Sequence, residues 1–249
     1  MAGRVNWPQA FAEVGLLSLG VVVALAGQAW MEERNERVEE REYLVALQRD
    51  FEETLVESQE YIHINESRLA SVIALMEVTA PSELAGVPSD GLDTLLLESF
   101  GFWEYNPTLG TYQDMVNSGD LRLLRSDELR VALVGFSELV LTIGTIDGLQ
   151  LTQYDNFEMP FFRDHLALGR VFQDYRGVAE HFGVTVSGLQ LPERGFGHDM
   201  EALGSREFHN ILAGRAIIHQ DAIVNMAGAM MSIDAIARMI EDELGRIRS

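Results

Sequence analysis

Six histidines are the side chains of this sequence best suited to bind a metal ion or to transfer protons near neutral pH. No two of them form an E-x-x-H or H-x-x-x-H arrangement, which would place two ligands on one helical face. His209 and His219 are ten residues apart, and on a helix this spacing separates them by roughly 80°. We therefore predict no metal site. The six are His63, His165, His181, His198, His209 and His219.

Other kinds of catalytic or cofactor-binding pattern are also missing from the sequence. Gly183 and the Gly195-Phe196-Gly197 run are isolated glycines without a strand before them or a phosphate-binding helix after them. No G-x-S-x-G nucleophile motif occurs, and the absence of cysteine excludes thiolate chemistry and disulfides. We therefore predict that the protein is not an enzyme and binds no cofactor.

Acidic residues dominate the charge of the chain. Its 249 residues include 39 acidic and 18 basic side chains, which gives a formal net charge of -21. Such a surface repels anionic polymers, so nucleic acid is excluded as a partner. Many carboxylates lie in a Glu/Arg-rich stretch after residue 31, where a solvated helix face is the ordinary explanation rather than acid-base catalysis.

Two clusters of apolar side chains have both a structural and a functional interpretation. Phe102, Trp103 and Tyr105 lie in a loop, and they either pack on the end of the fold or form an aromatic anchor in a protein interface. Several methionines near the C-terminus have helical spacing, which favours a place in the core over an adaptable contact surface. They are Met226, Met230, Met231 and Met239.

Residues 11–31 form an apolar segment that is long enough to cross a membrane. At ~1.5 Å per residue, a helix of ~20 residues spans the ~30 Å hydrocarbon layer, and Glu13 is the only charged residue in the segment. Residues 24–26 read A-L-A before Gly27 and imitate a signal-peptidase site, so a cleaved signal peptide is the competing interpretation. The single Arg4 ahead of the segment and the carboxylate of Glu13 favour an uncleaved anchor.

Small residues along this anchor suit close packing against other transmembrane helices. Gly20, Ala24 and Gly27 are four and three residues apart and share one helix face. Trp30 lies where an interfacial aromatic is expected, and Glu13 would be solvated at the membrane surface or paired with a partner. We therefore predict two kinds of contact for the anchor, with the lipid bilayer and with other membrane-protein subunits.

The side of the membrane on which the rest of the chain lies is not settled by its basic residues. Arg34, Arg37, Arg41 and Arg49 follow the anchor and by themselves favour a cytoplasmic domain. They alternate with glutamates on what we expect to be a salt-bridged helix, and long domains can be translocated regardless of charge.

The sequence predicts an all-α fold with residues 1–31 as tail and anchor and residues 32–249 as an acidic helical domain. Apolar residues continue at a spacing close to 3.5 after the anchor, so the transmembrane helix should extend as one long helix to about Val78. Turn residues break the chain at 80–91. Short helices are expected at about 90–99 and 111–118, the second closed by Gly119.

Two further long helices complete the prediction. Ser126 caps a helix that should run to about Met159, where Pro160 kinks or ends it. Residues 166–204 are expected to form loops and short helices, and Ser205 begins the final helix. Three long helices with short accessory helices indicate an up-and-down bundle, in which the short pair near 90–118 completes four layers.

Two segments of the chain resemble an uncharacterised family of bacterial single-pass membrane proteins, a domain of unknown function. The first segment has a W-x-E-E-R run at Trp30–Arg34, and the second has a Y-x(5)-S-G-x-L run at Tyr112–Leu121. The resemblance implies an N-terminal anchor and a helical domain outside the cytoplasm, which in a bacterium means the periplasmic side of the inner membrane. It implies no known activity. Further matching positions are Glu13, Gly20, Ala24, Leu25, Glu42, Tyr43, Leu44, Leu123, Leu124, Glu128, Leu129 and Arg130.

These observations favour a non-enzymatic accessory subunit that docks on and stabilises a larger bacterial membrane complex, respiratory or photosynthetic. The alternative is a helical bundle outside the cytoplasm that senses a ligand. Because only a short segment precedes the anchor, we expect such a sensor to act through a partner.

Overall fold

The predicted all-α architecture is confirmed by the structure, a computed structural model that describes residues 7–83, 89–101, 103–172 and 195–248. Within these ranges the chain forms helices joined by turns and loops. Helix α1, Trp7–Val78, is a single helix of 72 residues. It therefore joins the apolar segment at its beginning to the bundle without a break, as the apolar periodicity predicts.

The second layer of the bundle runs back along α1 and is only partly helical. It consists of α2, Ser89–Ser99, an extended loop, α3, Gly110–Ser118, and a 3-10 turn, Asp120–Leu123. Gly119 ends α3 in the left-handed region with φ of 81°, and its N–H donates to the carbonyl of Val116. The loop is extended because its polar groups bond to α1 and to the next helix instead of to one another.

The third layer begins as the capping pattern predicts but continues past the expected end. Ser126 caps α4, Asp127–Gln153, and its Oγ accepts a hydrogen bond from the N–H of Leu129. A π-helical turn, Tyr154–Glu158, follows, and α5, Met159–His165, then carries Pro160 in its first turn. The helix therefore does not end at Pro160, which is one of the two predicted alternatives. Pro160 has no N–H to bond to the preceding turn, and the π-helical turn lies directly before it.

The last layer is α8, Arg206–Arg248, which packs between α1 and α4 and runs antiparallel to both. Short helices α6, Leu168–Val171, and α7, Met200–Leu203, close the far end of the bundle. Ser205 begins α8 as predicted, because its Oγ accepts from the N–H of Phe208. Layers one to four thus alternate in direction, as in an up-and-down bundle.

The core is divided into three sections along the bundle axis. Phe51 and Phe136 pack 5.4 Å apart in the section nearest the anchor, together with the end of α8. Tyr61 and Tyr105 occupy the middle section. Phe161 and Phe208 stack 5.0 Å apart in the far section. Met226 lies in the middle core, whereas Met231 is 74% exposed, so the methionines are divided between core and surface.

Three described helices are long and apolar enough to cross a membrane by length and composition: Leu16–Val78, Asp127–His165 and Arg206–Ile247. They differ in what surrounds their apolar residues. The second and third line the bundle core beside the charge-rich part of α1. In the first, every side chain from Leu16 to Glu39 is exposed, and Glu40 is the first buried residue. The apolar part of α1 therefore extends beyond the bundle.

Candidate docking surfaces and buried polar core

The predicted docking residues of the anchor lie on the exposed part of α1. A Cβ built at Gly20 or Gly27 meets nothing within 4 Å, so packing within the chain does not explain either glycine. Ala24 is exposed on the same face. Trp30 is 64% exposed, and the guanidinium of Arg34 lies 5.6 Å from its ring centroid. Glu13 falls within α1, but its side chain lies outside the described residues.

The predicted aromatic loop is placed against the middle of the bundle. Tyr105 is only 7% exposed, and its ring meets that of Tyr61 edge-on at 5.4 Å. Trp103 is half-buried against the same core section, and Phe102 lies outside the described residues. Tyr105 thus packs inside the chain, and of the described loop aromatics only Trp103 is partly open to a partner.

A buried carboxylate holds this loop in place. Oδ1 of Asp147 accepts from the hydroxyl of Tyr61 at 2.6 Å, and Oδ2 accepts from the backbone N–H of Tyr105 at 3.0 Å. The Tyr105 hydroxyl pairs with that of Ser58 at 2.8 Å. Burial raises the pKa of Asp147, Tyr61 and Tyr105, the last to about 12. This network joins α1, the loop and α4.

The far core section contains a fully buried ion pair. Arg215 and Glu158 have no exposed side-chain surface, and Nη1 of the arginine lies 3.3 Å and 3.4 Å from the two carboxylate oxygens. Nη2 of Arg215 donates to the carbonyl of Gly101, and the guanidinium lies 5.9 Å from the Phe100 ring. A Cβ at Gly101 would lie 1.8 Å from Nη1 of Arg68, so a side chain there would displace that guanidinium.

Burial shifts the protonation of two groups in this section in opposite directions. It raises the pKa of Glu158 to about 7, although Arg215 opposes the shift. It lowers the pKa of His219 to about 3, with the charges of Arg215 and Arg68 acting in the same direction. His219 Nδ1 lies 2.8 Å from Oδ1 of Asn65, so the neutral ring donates there. Burial thus favours the uncharged form of both groups, and only Glu158 has an opposite charge beside it that favours the ionised form.

His198 and His165 also bond to carboxylates within the protein. Nε2 of His198 lies 2.6 Å from Asp93, and Nδ1 of His165 lies 3.0 Å from Asp199. Among residues 7–83, 89–101, 103–172 and 195–248, no three histidine or carboxylate side chains converge as a metal-binding group would.

A solvent-open cavity of about 680 Å³ lies beside the π-helical turn. Phe157, Pro160 and Phe161 supply its apolar wall, and Arg206 and Asn210 of α8 lie on the other side. Gln153 lines the cavity and donates to the carbonyl of Ile211 at 2.9 Å. The arrangement can hold a small amphipathic molecule, because apolar surface and hydrogen-bonding groups face one space.

The buried charges are not among the residues predicted from the sequence, although the apolar periodicity of the helices indicates where they lie. Arg215 and His219 occupy core positions of the α8 stripe between Leu212 and Ala222, and Asp147 follows Ile146 on the inner side of α4. A charged residue at a core position of a helical stripe is expected to be paired, since burial without a partner is costly.

Comparisons of the chain with family models, with curated proteins and with solved structures found no match. The family resemblance of the two segments therefore stays a prediction.

Proposed function

We propose that the protein is a single-pass, membrane-anchored accessory subunit that docks on a larger bacterial membrane complex and stabilises it. One observation carries the proposal. Helix α1 continues from an apolar segment that is exposed on all sides, Leu16–Met31, into the core of the bundle. A continuous helix holds the bundle at a fixed height and angle above the bilayer, which suits a brace better than a flexible tether would.

The exposed small residues of the anchor support docking over simple tethering. Lipid provides no hydrophobic force between helices, so association depends on close backbone approach at small residues. Gly20, Ala24 and Gly27 offer such a surface and serve no packing within the described chain. The partner class that fits is a set of transmembrane helices, such as those of a respiratory or photosynthetic complex.

Ala24→Leu tests the docking role of the anchor. The change adds bulk on the small-residue face without reducing hydrophobicity, so we expect the protein to remain in the membrane but to lose its co-purifying subunits. The measurement is purification in mild detergent followed by mass spectrometry, beside flotation of membranes.

Ala29→Leu is the matched control, because position 29 lies about 180° around the helix from Gly20. It should retain the partners. Equal recovery of the same subunits with both variants would contradict docking through this face and leave only a lipid tether. Failure of the wild type to float with membranes would contradict the anchor itself.

A second candidate function, ligand sensing, is favoured by the cavity beside the π-helical turn. Its apolar wall and its lining by Arg206 and Asn210 suit a small amphipathic molecule. Screening metabolites by thermal shift would support this function if a ligand raised the melting temperature of the wild type but not that of Phe157→Ala. Phe157 is 60% exposed, so its loss should not unfold the bundle.

A further inference from the structure

The cavity beside the π-helical turn is lined by three parts of the fold. Gln153 ends α4 there, Asn156 belongs to the π-helical turn and Asn210 to the first turns of α8. A Cβ at Gly214 would lie 2.8 Å from Oε1 of Gln153, so the glycine leaves room for that amide to reach the carbonyl of Ile211. π-helical turns frequently occur at functional sites. The cavity therefore has a preformed polar lining, as ligand sites do.

Another part of the lining is aromatic. Phe161 is buried and stacks on Phe208 at 5.0 Å, whereas Phe157, one turn earlier, is 60% exposed. Pro160 lines the cavity between them in the chain. An aromatic ring that stays open beside polar groups suits the apolar part of a small molecule.

Two lining charges of opposite sign have no partner within the described part of the chain. Arg206 and Glu207 are the first two residues of α8, and neither side chain forms an ion pair or a hydrogen bond there. A cation in the first turn of a helix is unfavourable beside the helix dipole, so helix stability does not explain Arg206. Asp164 also lines the cavity, but it accepts hydrogen bonds from Arg163 at 2.9 Å and 3.3 Å. An unpaired cation and an unpaired anion thus line the same space.

His165 adds a hydrogen-bond acceptor to this lining. Its Nδ1 lies 3.0 Å from Oδ2 of Asp199, so the neutral ring donates there and keeps the lone pair of Nε2. Nε2 makes no hydrogen bond within residues 7–83, 89–101, 103–172 and 195–248. An ammonium group has three donors, which this nitrogen and a carboxylate can share.

Position and net charge narrow the class of occupant. The cavity borders the far core section, which also includes Val72 of α1. From Met31 to Val72 α1 rises about 60 Å, so headgroups of the bilayer that the anchor spans do not reach it. A chain with a net charge of -21 repels purely anionic ligands, whereas a zwitterion has no net charge to repel. A diffusible molecule that carries both charges fits these conditions.

We propose that this cavity binds a small zwitterion with an apolar side chain, of the α-amino-acid class. Arg206 binds the carboxylate, because its guanidinium offers paired N–H donors. Glu207 binds the ammonium group together with Nε2 of His165, and Phe157 and Pro160 contact the apolar side chain. The volume of about 680 Å³ is that of a small-molecule site. The inference rests on the second candidate function, ligand sensing, and names its ligand class.

Isothermal titration of the full chain in mild detergent tests the ligand class. L-phenylalanine and L-leucine are the probes, and two analogues of phenylalanine each lack one charge. Phenethylamine has no carboxylate, and 3-phenylpropionate has no amine. We expect L-phenylalanine to bind and each analogue to bind at least about tenfold more weakly, because a charged hydrogen-bonding group then lacks its partner.

Two variants assign the charges of the ligand to their partners. Arg206→Gln should weaken L-phenylalanine binding at least about tenfold and leave phenethylamine binding unchanged. Glu207→Gln should weaken both of these ligands and leave 3-phenylpropionate binding unchanged. Arg238→Gln is the matched control, since it makes the same change at an exposed position of α8 far from the cavity. It should bind all probes like wild type, and circular dichroism should show the same helix content in every variant.

Absence of binding by both amino acids, or equal binding of L-phenylalanine by wild type and Arg206→Gln, would overturn the proposal. The metabolite screen with Phe157→Ala separates this result from a failure of ligand sensing. If a metabolite that lacks one of the two charges stabilises the wild type but not Phe157→Ala, sensing stands and the amino-acid class is wrong. If no metabolite does so, both fail.

Discussion

At the scale of single residues, the buried pair Arg215–Glu158 is the feature of the bundle with the clearest energetic consequence. Removing one partner of a fully buried ion pair leaves an uncompensated charge, and this typically costs about 3–5 kcal/mol. Replacing both partners by apolar groups of similar volume is often neutral or stabilising. Both side chains here have no exposed surface, so solvent does not screen their interaction.

Above about pH 7, where Glu158 is ionised, Glu158→Leu alone should therefore lower the free energy of unfolding by about 3–5 kcal/mol. The double variant with Arg215→Met should recover most of that loss. Urea unfolding followed by circular dichroism checks both values. A double variant that is as unstable as the single one would show that Arg215 stabilises the fold mainly through Gly101 and Phe100.

The raised pKa of Glu158 predicts a dependence of stability on pH with a definite sign. In the folded chain this carboxyl keeps its proton up to about pH 7, whereas in the unfolded chain it loses the proton near the ordinary glutamate pKa of 4.5. The stability that Glu158 contributes is therefore fully present below about 4.5 and is lost as pH rises through about 7.

Glu158→Gln removes this dependence while keeping an oxygen acceptor for Arg215. The quantity to follow is the unfolding free energy of the variant minus that of the wild type. We expect this difference to rise by about 1.4 kcal/mol for each unit of increase in pH between about 5 and 6.5. His219 has a lowered pKa, so its contribution to stability rises with pH, opposite to that of Glu158. Because His219 is present in both proteins, this contribution cancels when the two are compared. A difference between the two proteins that does not change with pH would contradict the assignment.

At the scale of elements, the start of α4 depends on one side chain that the sequence already identifies. Ser126 Oγ accepts from the N–H of Leu129 at 3.2 Å. Ser126→Ala should lower the unfolding free energy by about 1 kcal/mol, because an orphan donor of the first turn loses its partner. Thermal or urea unfolding measures the loss.

Ser67→Ala is the matched control for this cap. Ser67 is an exposed residue in the middle of α1, where alanine is the better helix former, so the change should leave stability the same or raise it by a few tenths of a kcal/mol. Equal losses at both positions would contradict a capping role for Ser126.

At the scale of the whole molecule, the proposed anchoring leads to a prediction of the side of the membrane on which the bundle lies. The family resemblance favours the periplasmic side, and the arginines after the anchor favour the cytoplasm. We predict that alkaline phosphatase fused after Ser249 is active, because that enzyme folds only outside the cytoplasm. An inactive phosphatase fusion, together with a fluorescent cytoplasmic reporter at the same position, would reverse the assignment.

Periodicity and capping were enough to predict the long helices of this protein. Local patterns such as the serine caps and the αL glycine act within a few residues and so can be identified in the sequence. A loop that contains Phe102, Trp103 and Tyr105 is also predicted from the sequence, but these aromatic residues have two interpretations there. Only the tertiary structure places Tyr105 in the core, because its partners Asp147 and Ser58 are 42 and 47 residues away along the chain.

The sequence by itself determined that the chain has an apolar segment able to span a membrane, an acidic surface and an up-and-down helical bundle. All three follow from composition or from a short period, and none of them requires knowledge of which side chains meet. The tertiary structure alone decided that Arg215 pairs with Glu158 and that Asp147 joins Tyr61 to the backbone of Tyr105. These depend on contacts between distant segments, which no local pattern encodes.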